Sequence, residues 1–300
     1  MGHNHEHTHT HEFKSLNRAF TAGIALNVAF VVVEFAVGFA SGSVGLISDA
    51  GHNLSDVASL ALAMIAFRLA RVHASTRYTY GFKKSTVLVS LLNAIILLIA
   101  VGMIIAESIG KIIRPEEVEG GVIAWVAAVG VVINAFTAWL FMRDREKDLN
   151  VRGAYLHMAA DALVSVGVVI SGIVIAHTQW YVLDPIIGLI IAAVIIHATW
   201  SLLSDSIRLS LDGVPSGVII SDIESAIKSV EGVDGCHHLH IWAISTTETA
   251  LTSHVVISDT AQMETIKRKI KDVLRTKSIT HATLEFETTE CTETDDAVIQ

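Results

Sequence analysis

Six long runs of Ile, Val, Ala, Leu and Phe, separated by short polar stretches, order the first two thirds of the chain. They fall near Phe20–Ala40, Val44–Ala70, Val87–Ile109, Val122–Met142, Ala154–Ala176 and Pro185–Leu203. Each is close to the roughly 20 residues that a helix needs to cross a bilayer. Ser41-Gly42-Ser43 alone separates the first two, which predicts a tight turn. The pattern changes at Asp212-Gly213-Val214-Pro215, beyond which polar and apolar positions mix as in a soluble domain. Ser221-Asp222-Ile223-Glu224 has the form of a capping box and predicts a helix to about Val230. Strand-like stretches follow at Cys236–Ile244, Ala250–Ile257 and Ala282–Thr288, with a helix over Ala261–Thr276 between the last two. The order αββαβ predicts a small α+β sandwich, helices on one face of a sheet.

Composition sharpens this into a membrane protein. The chain is 52% hydrophobic and 17% charged, too apolar for an ordinary soluble domain. The formal charge of −9 gathers in the C-terminal third, and no basic patch suggests nucleic acid. Lys14 and Arg18 precede the first span. Arg68, Arg71, Arg77, Lys83 and Lys84 lie between the second and third, and Arg143, Arg145, Lys147 and Arg152 between the fourth and fifth. The opposite loops carry only Lys111 and Arg114, offset by Glu116, Glu117 and Glu119. The positive-inside rule therefore puts both termini in the cytoplasm. The expected division is a flexible His-rich tail over 1–14, a transmembrane domain over 15–210, a cytoplasmic domain over 211–290 and a disordered acidic tail over 291–300. The polar first dozen residues lack the apolar core of a cleavable signal. Short loops without a targeting segment suggest a bacterial plasma (inner) membrane. Cys236 and Cys291 form no disulfide framework. The basic residues of Arg77-Tyr78-Thr79-Tyr80-Gly81-Phe82-Lys83-Lys84 are expected to face acidic lipid head groups.

The chemistry lies inside the apolar runs. From Ala19 to Phe67 there is no Lys or Arg, and the only acids are Glu34, Asp49 and Asp56. A charged side chain at mid-bilayer costs about 2.5–3.5 kcal/mol on insertion scales, so each of these acids is a functional candidate. His52 and Asp56 stand four residues apart, which on a helix places both on one face. His157 and Asp161 repeat the spacing in the fifth run. Two neutral imidazoles and two carboxylates make a tetrahedral site whose charge of −2 cancels that of a dication. Nitrogen donors favour Zn²⁺ or Co²⁺ over Mg²⁺ and Ca²⁺. A cation and protons compete for such donors, so alternating exposure of the site would give antiport. Asp49, one turn before His52, is either an access-path acid or proton carrier, or a residue of a wet cavity near the outer mouth. Glu34, Asn27 and Asn134 are expected to hydrogen-bond between helices, and His177 and His197 to be structural.

A second cluster falls in the C-terminal domain. His237, His238 and His240 lie on its first strand, His254 on its second, and His281, Glu285 and Glu287 near its last. Strict alternation would put His238, His240 and Trp242 on one face, and His281, Glu285 and Glu287 on another. His3, His5, His7, His9 and His11 recur at every second position and suggest a metal-collecting tail.

Taken together, Gly42-Ser43-Val44, Ser48-Asp49-Ala50-Gly51-His52, Asp56, His157 with Asp161, Asp184-Pro185, Asp212-Gly213-Val214-Pro215 and His240-Ile241-Trp242 resemble the cation diffusion facilitator family over residues 15 to 290. The resemblance implies six transmembrane helices plus a C-terminal α+β, ferredoxin-like cytoplasmic domain that senses metal. It implies a homodimer exporting Zn²⁺ in exchange for protons, with Co²⁺ and Cd²⁺ as further cargo, and ligands from the second and fifth helices. It points to His237 or His240, His254 and Glu287 as regulatory zinc ligands, with His281 adjacent. His52 stands where some relatives have aspartate, and resembles the more zinc-selective branch. Certain relatives carry Asp and His ligands between the second and third helices. Here His73 is the only such residue nearby, so no site is expected there. Two rivals share the sequence features: a membrane metal sensor that does not transport, and an intramembrane metalloenzyme. The latter would need an open coordination position and a general base, and no HExxH motif is present. The chain is therefore not expected to be an enzyme.

Overall fold

The computed structural model describes residues 6–41, 44–114, 122–178, 180 and 182–289. Six long helices come first: α1 (Glu6–Ser41), α2 (Val44–Leu69), α3 (Ser85–Ile113), α4 (Val122–Met142), α5 (Leu149–Thr178) and α6 (Leu183–Ser210). They are followed by α7 (Ile220–Lys228), β1 (Gly235–Ala243), β2 (Thr249–Val256), α8 (Met263–Thr276) and β3 (Ile279–Glu287). The chain divides into two compact units, Met1–His73 with Ser85–Ser204, and Ala74–Lys84 with Asp205–Gln300.

The first unit is a helical bundle with its polarity turned inward. Val32, Val33, Phe39, Ile99, Met103, Val132, Trp139, Ile170, Ile190 and Trp200 are exposed on its outside. Asn27, Glu34, Asn53, Asp56, Ser90, Asn134, Thr137 and His157 are buried inside. Water would drive the opposite arrangement; a lipid surround favours this one, because polar groups in hydrocarbon need partners inside the bundle. Arg18–Val37, Ser85–Ile113 and Pro185–Ser210 are each long and apolar enough to cross a bilayer, and Ala128–Met142 is a shorter apolar helix.

Two apolar clusters hold the helices. Phe20, Leu60, Ala63, Ala138, Phe141, Val151, Ala154 and Met158 join α1, α2, α4 and α5, with the Phe20 ring 4.8 Å from Phe141 and 5.5 Å from Phe67. Leu97, Val101, Ala160, Ile191, Ala192 and Ile195 join α3, α5 and α6. Small residues let the backbones approach: a Cβ on Gly23 would sit 2.9 Å from the Thr137 methyl. The polar residues tie the same helices. Asn53 Nδ2 donates to Glu34 Oε2 at 2.7 Å between α2 and α1, and Asn27 Nδ2 donates to Thr137 Oγ1 at 3.3 Å between α1 and α4.

In the second unit, α7 and α8 pack on one face of a three-stranded sheet of order β1-β2-β3. β1 runs antiparallel and β3 parallel to β2. Ile266, Ile270 and Leu274 recur every fourth residue along α8 and are buried with Ile223, Ile227, Leu251 and Val255. Lys267, Arg268, Lys271 and Arg275 fall outside this stripe, which is the amphipathic pattern that fixes which face turns inward. Truncating Ile270 leaves a cavity in a fully buried site. Ile270→Ala is expected to destabilise the domain by about 2–5 kcal/mol, read as an earlier unfolding transition of the full chain in detergent.

Three expectations differ from the structure. Helix α7 begins at Ile220 with Ile219 as its N-cap and no side-chain cap, so the residues Ser221–Glu224 form its first turn and not a capping box. The following helix is led by a 3₁₀ turn, Thr260–Gln262, where Asp259 accepts from the Ala261 N–H. Finally, α1 reaches back to Glu6, so the His-rich segment is helical from there rather than a flexible tail. No Gly or Pro interrupts the chain between Glu6 and the first apolar run, and an existing helix extends at little cost.

Candidate metal centres

Helix α5 lies against α2, α3 and α4, and its contact with α2 carries the first centre. Asp56, 1% exposed, points from α2 at His157 of α5, 7% exposed. His157 Nε2 and Asp56 Oδ1 are 2.6 Å apart. Asp161 Oδ2, one helical turn along, is 3.8 Å from the same nitrogen. One donor atom from each of the three lies within 4.8 Å of the others. Donors 2.0–2.2 Å from a tetrahedral Zn²⁺ stand roughly 3.4 Å apart, so modest rotamer changes turn this triad into three corners of a coordination sphere. The 2.6 Å contact is a hydrogen bond and therefore holds a proton where a cation would bind. Whichever of the two atoms carries that proton must surrender it before both can ligate. Beside His157 a void of about 10 Å³ is lined by Ser59, Asn93, Gly153 and Ala154, close to the smallest volume that admits a water.

The second centre stands on the sheet. His237 pairs across β1–β2 with His254, and His254 across β2–β3 with Glu285. His254 Nδ1 is 2.6 Å from Glu287 Oε1, and His237 Nε2 is 3.2 Å from Glu287 Oε2. His254 Nε2 lies 3.5 Å from Glu285 Oε2. Both ring nitrogens of His237 are shielded from solvent yet make no hydrogen bond, which fits a site shaped for a cation. Cys236, next in sequence, is not among the donors. Burial pushes its thiol above the ordinary value, against a smaller opposing effect of the Ser253 hydrogen bond, and keeps it protonated at neutral pH.

Residues 20–209 match the family described as cation efflux transmembrane domain, and residues 215–288 the cation efflux protein cytoplasmic domain. The chain belongs to the cation efflux family. It is 34% identical over 100% of its length, and 96% of the relative's, to the "Cadmium, cobalt and zinc/H(+)-K(+) antiporter" of Bacillus subtilis (strain 168). It is 34% identical to "Metal cation efflux system protein CzcD" of Cupriavidus metallidurans, covering 99% of this chain and 93% of that one. It is 32% identical to "Zinc transporter ZitB" of Escherichia coli (strain K12), covering 96% and 93%. A solved structure entitled "Metal-bound C-terminal domain of the CzcD transporter from Cuprividus metallidurans" is 38% identical, covering 23% of this chain and 99% of that one, with a TM-score of 0.22.

In this cation efflux protein, the structure brings together Asp56, His157 and Asp161, and separately His237, His254 and Glu287. The side chains of Asp49, His52, His177, His3, His5, His7, His9 and His11, and all of residues 290–300, lie outside the described residues. His240 is not in the sheet cluster. A bulge between His237 and His240 interrupts the pairing, with His238 at φ 47. The extra residue shifts the pairing, so His240 stands opposite Thr252, two residues along β2 from His254, and is exposed, lining a separate cavity with Asp212 and Trp242. His238 instead stacks on His254, ring centroids 4.9 Å apart. His281 is also elsewhere, its Nε2 3.4 Å from the Tyr80 hydroxyl.

Two of the basic residues expected at lipid head groups, Lys83 and Lys84, are engaged with protein. Lys83 Nζ donates to Glu248 Oε2 at 2.6 Å. Lys84 Nζ donates to Asp212 Oδ1 at 2.6 Å, to the Leu209 carbonyl at 2.7 Å in the last turn of α6, and to the Ala243 carbonyl at 3.0 Å at the end of β1. A helix C-terminus presents unpaired carbonyls and partial negative charge, which draw an ammonium. Sequence reasoning missed these acceptors because two of the three are backbone atoms.

Proposed function

We propose that the protein exports Zn²⁺, with Co²⁺ and Cd²⁺ as further cargo, in exchange for protons. The transported ion binds His52, Asp56, His157 and Asp161 between α2 and α5. All six long helices span the inner membrane with both termini cytoplasmic, over residues 15–210. Residues 211–290 form a ferredoxin-like cytoplasmic domain that pairs two copies of the chain and responds to zinc through His237, His254 and Glu287. The histidines of residues 1–14 collect metal.

The observation that carries this reading is the buried 2.6 Å contact between His157 Nε2 and Asp56 Oδ1. Two groups that would ligate a cation share a proton in a place where bare charge is costly. Binding the ion expels the proton, and a proton returning displaces the ion. The names of the relatives, which include zinc and cadmium transport and proton exchange, support the same cargo and coupling. Four protein ligands leave no coordination position for a hydrolytic water, which argues against an enzyme.

The test is flux in proteoliposomes of purified protein across an imposed pH gradient. Zn²⁺ uptake should rise with the gradient, and added Zn²⁺ should drive measurable counterflow of protons. Zn²⁺ binding without flux would convert the protein into a sensor. Flux that ignores the gradient would remove the proton exchange.

A further inference from the structure

We propose that the mouth of the α5–α6 groove is a binding site for an anionic phospholipid. A cavity of about 590 Å³ opens there, between the α4–α5 loop, the first turns of α5 and the middle of α6. Its polar rim holds Arg145, Arg152, His197 and Ser201, and its apolar wall Leu156, Ala193, Ile196 and Trp200. Both guanidiniums are fixed in place. Arg145 Cζ sits 4.6 Å from the centroid of the Tyr155 ring, and Arg152 Nη2 donates to Ser201 Oγ at 2.8 Å. Glu146 is the one carboxylate on the rim, 73% exposed, and it meets Arg145 through Nε at 3.2 Å rather than through the two Nη nitrogens.

The division of the cavity matches the division of a phospholipid. A phosphodiester suits the fork of a guanidinium, and an acyl chain suits the wall of Ala193, Ile196 and Leu156. The wall continues onto the outside of α6 through Ile190, 60% exposed, Val194, 52%, and Trp200, 64%. An exposed Trp beside arginines is the composition of a membrane interface, and basic pockets between transmembrane helices at that depth bind anionic head groups. A free phosphate would use the rim and leave the wall unexplained. The inference rests on the membrane setting of this unit and not on export or its direction, so either reading can fail without the other.

The test is native mass spectrometry of the full chain in detergent, titrated with phosphatidylglycerol or with phosphatidylcholine of the same acyl chains. The wild type should retain phosphatidylglycerol preferentially. Arg145→Ala and Arg152→Ala should each weaken retention about fivefold, the effect of one basic residue at an anionic surface. His197→Glu, an exposed change that leaves both arginines in place, should weaken it as well and guards against loss by misfolding. Equal retention of the two lipids, or unchanged retention in His197→Glu and both arginine variants, would overturn the proposal. So would displacement of phosphatidylglycerol by inorganic phosphate at equal concentration, which would make the rim a small-anion site.

Discussion

Asp161→Ala protein, reconstituted at wild-type density, is expected to move Zn²⁺ at least about a hundredfold more slowly than the wild type. Changes to groups that merely support a metal ligand already cost 10–100-fold, and Asp161, 3.8 Å from His157 Nε2, is one of the proposed ligands themselves. Its loss removes one of the two charges that offset the dication, in a setting where uncompensated charge is costly. Asp56→Ala and His157→Ala should behave alike, as should His52→Ala. Each measurement needs a matching size-exclusion profile, because Asp56 and His157 also join two helices. Wild-type flux from folded Asp161→Ala protein would sink the proposed transport site.

A second large effect is expected on the sheet. In the Asp161→Ala background, where the membrane site is disabled, His254→Ala should weaken the remaining Zn²⁺ site by at least about tenfold in equilibrium dialysis. His254 meets Glu287 at 2.6 Å and Glu285 at 3.5 Å, one through each ring nitrogen. His237→Ala and Glu287→Ala should follow it. His240→Ala and His281→Ala should leave affinity within about threefold, because neither side chain belongs to the donor cluster. If His240→Ala were the damaging change, the cluster of His237, His254 and Glu287 would not be the zinc site.

The sequence made some features plain for definite reasons. Helical periodicity is local, so the four-residue spacing of His157 and Asp161 suffices to predict one shared face of α5, where His157 Nε2 and Asp161 Oδ2 lie 3.8 Å apart. The limits of α4 and α2 also followed closely from the apolar runs. Strand alternation is equally local but fails at any inserted residue. Across the bulge after His237 the pairing shifts, so His240 stands opposite Thr252 rather than beside His254, while His238 packs against His254. A positive φ at His238 leaves no mark in composition, because histidine, though enriched there over most residues, still adopts it in only a small minority of positions. Side chains that bond to backbone carbonyls are harder still to read. The acceptors of Lys84 at Leu209 and Ala243 exist only once α6 and β1 have folded. Interhelical pairs such as Asn53 with Glu34 lay between. Both residues were visibly polar in apolar surroundings, but their partnership depends on how α1 meets α2.

Lys84 illustrates what such a contact demands of chemistry. An ammonium carries three hydrogens splayed around one nitrogen, and here three oxygens receive them: one carboxylate and two peptide carbonyls. Arginine preserves the charge but spreads its hydrogens in a flat fan, so it cannot converge on three acceptors from a single atom. Acetylation would leave one hydrogen on that nitrogen and remove its charge. Either replacement would hand part of this junction back to solvent, making the identity of the cation at position 84 matter as much as its sign.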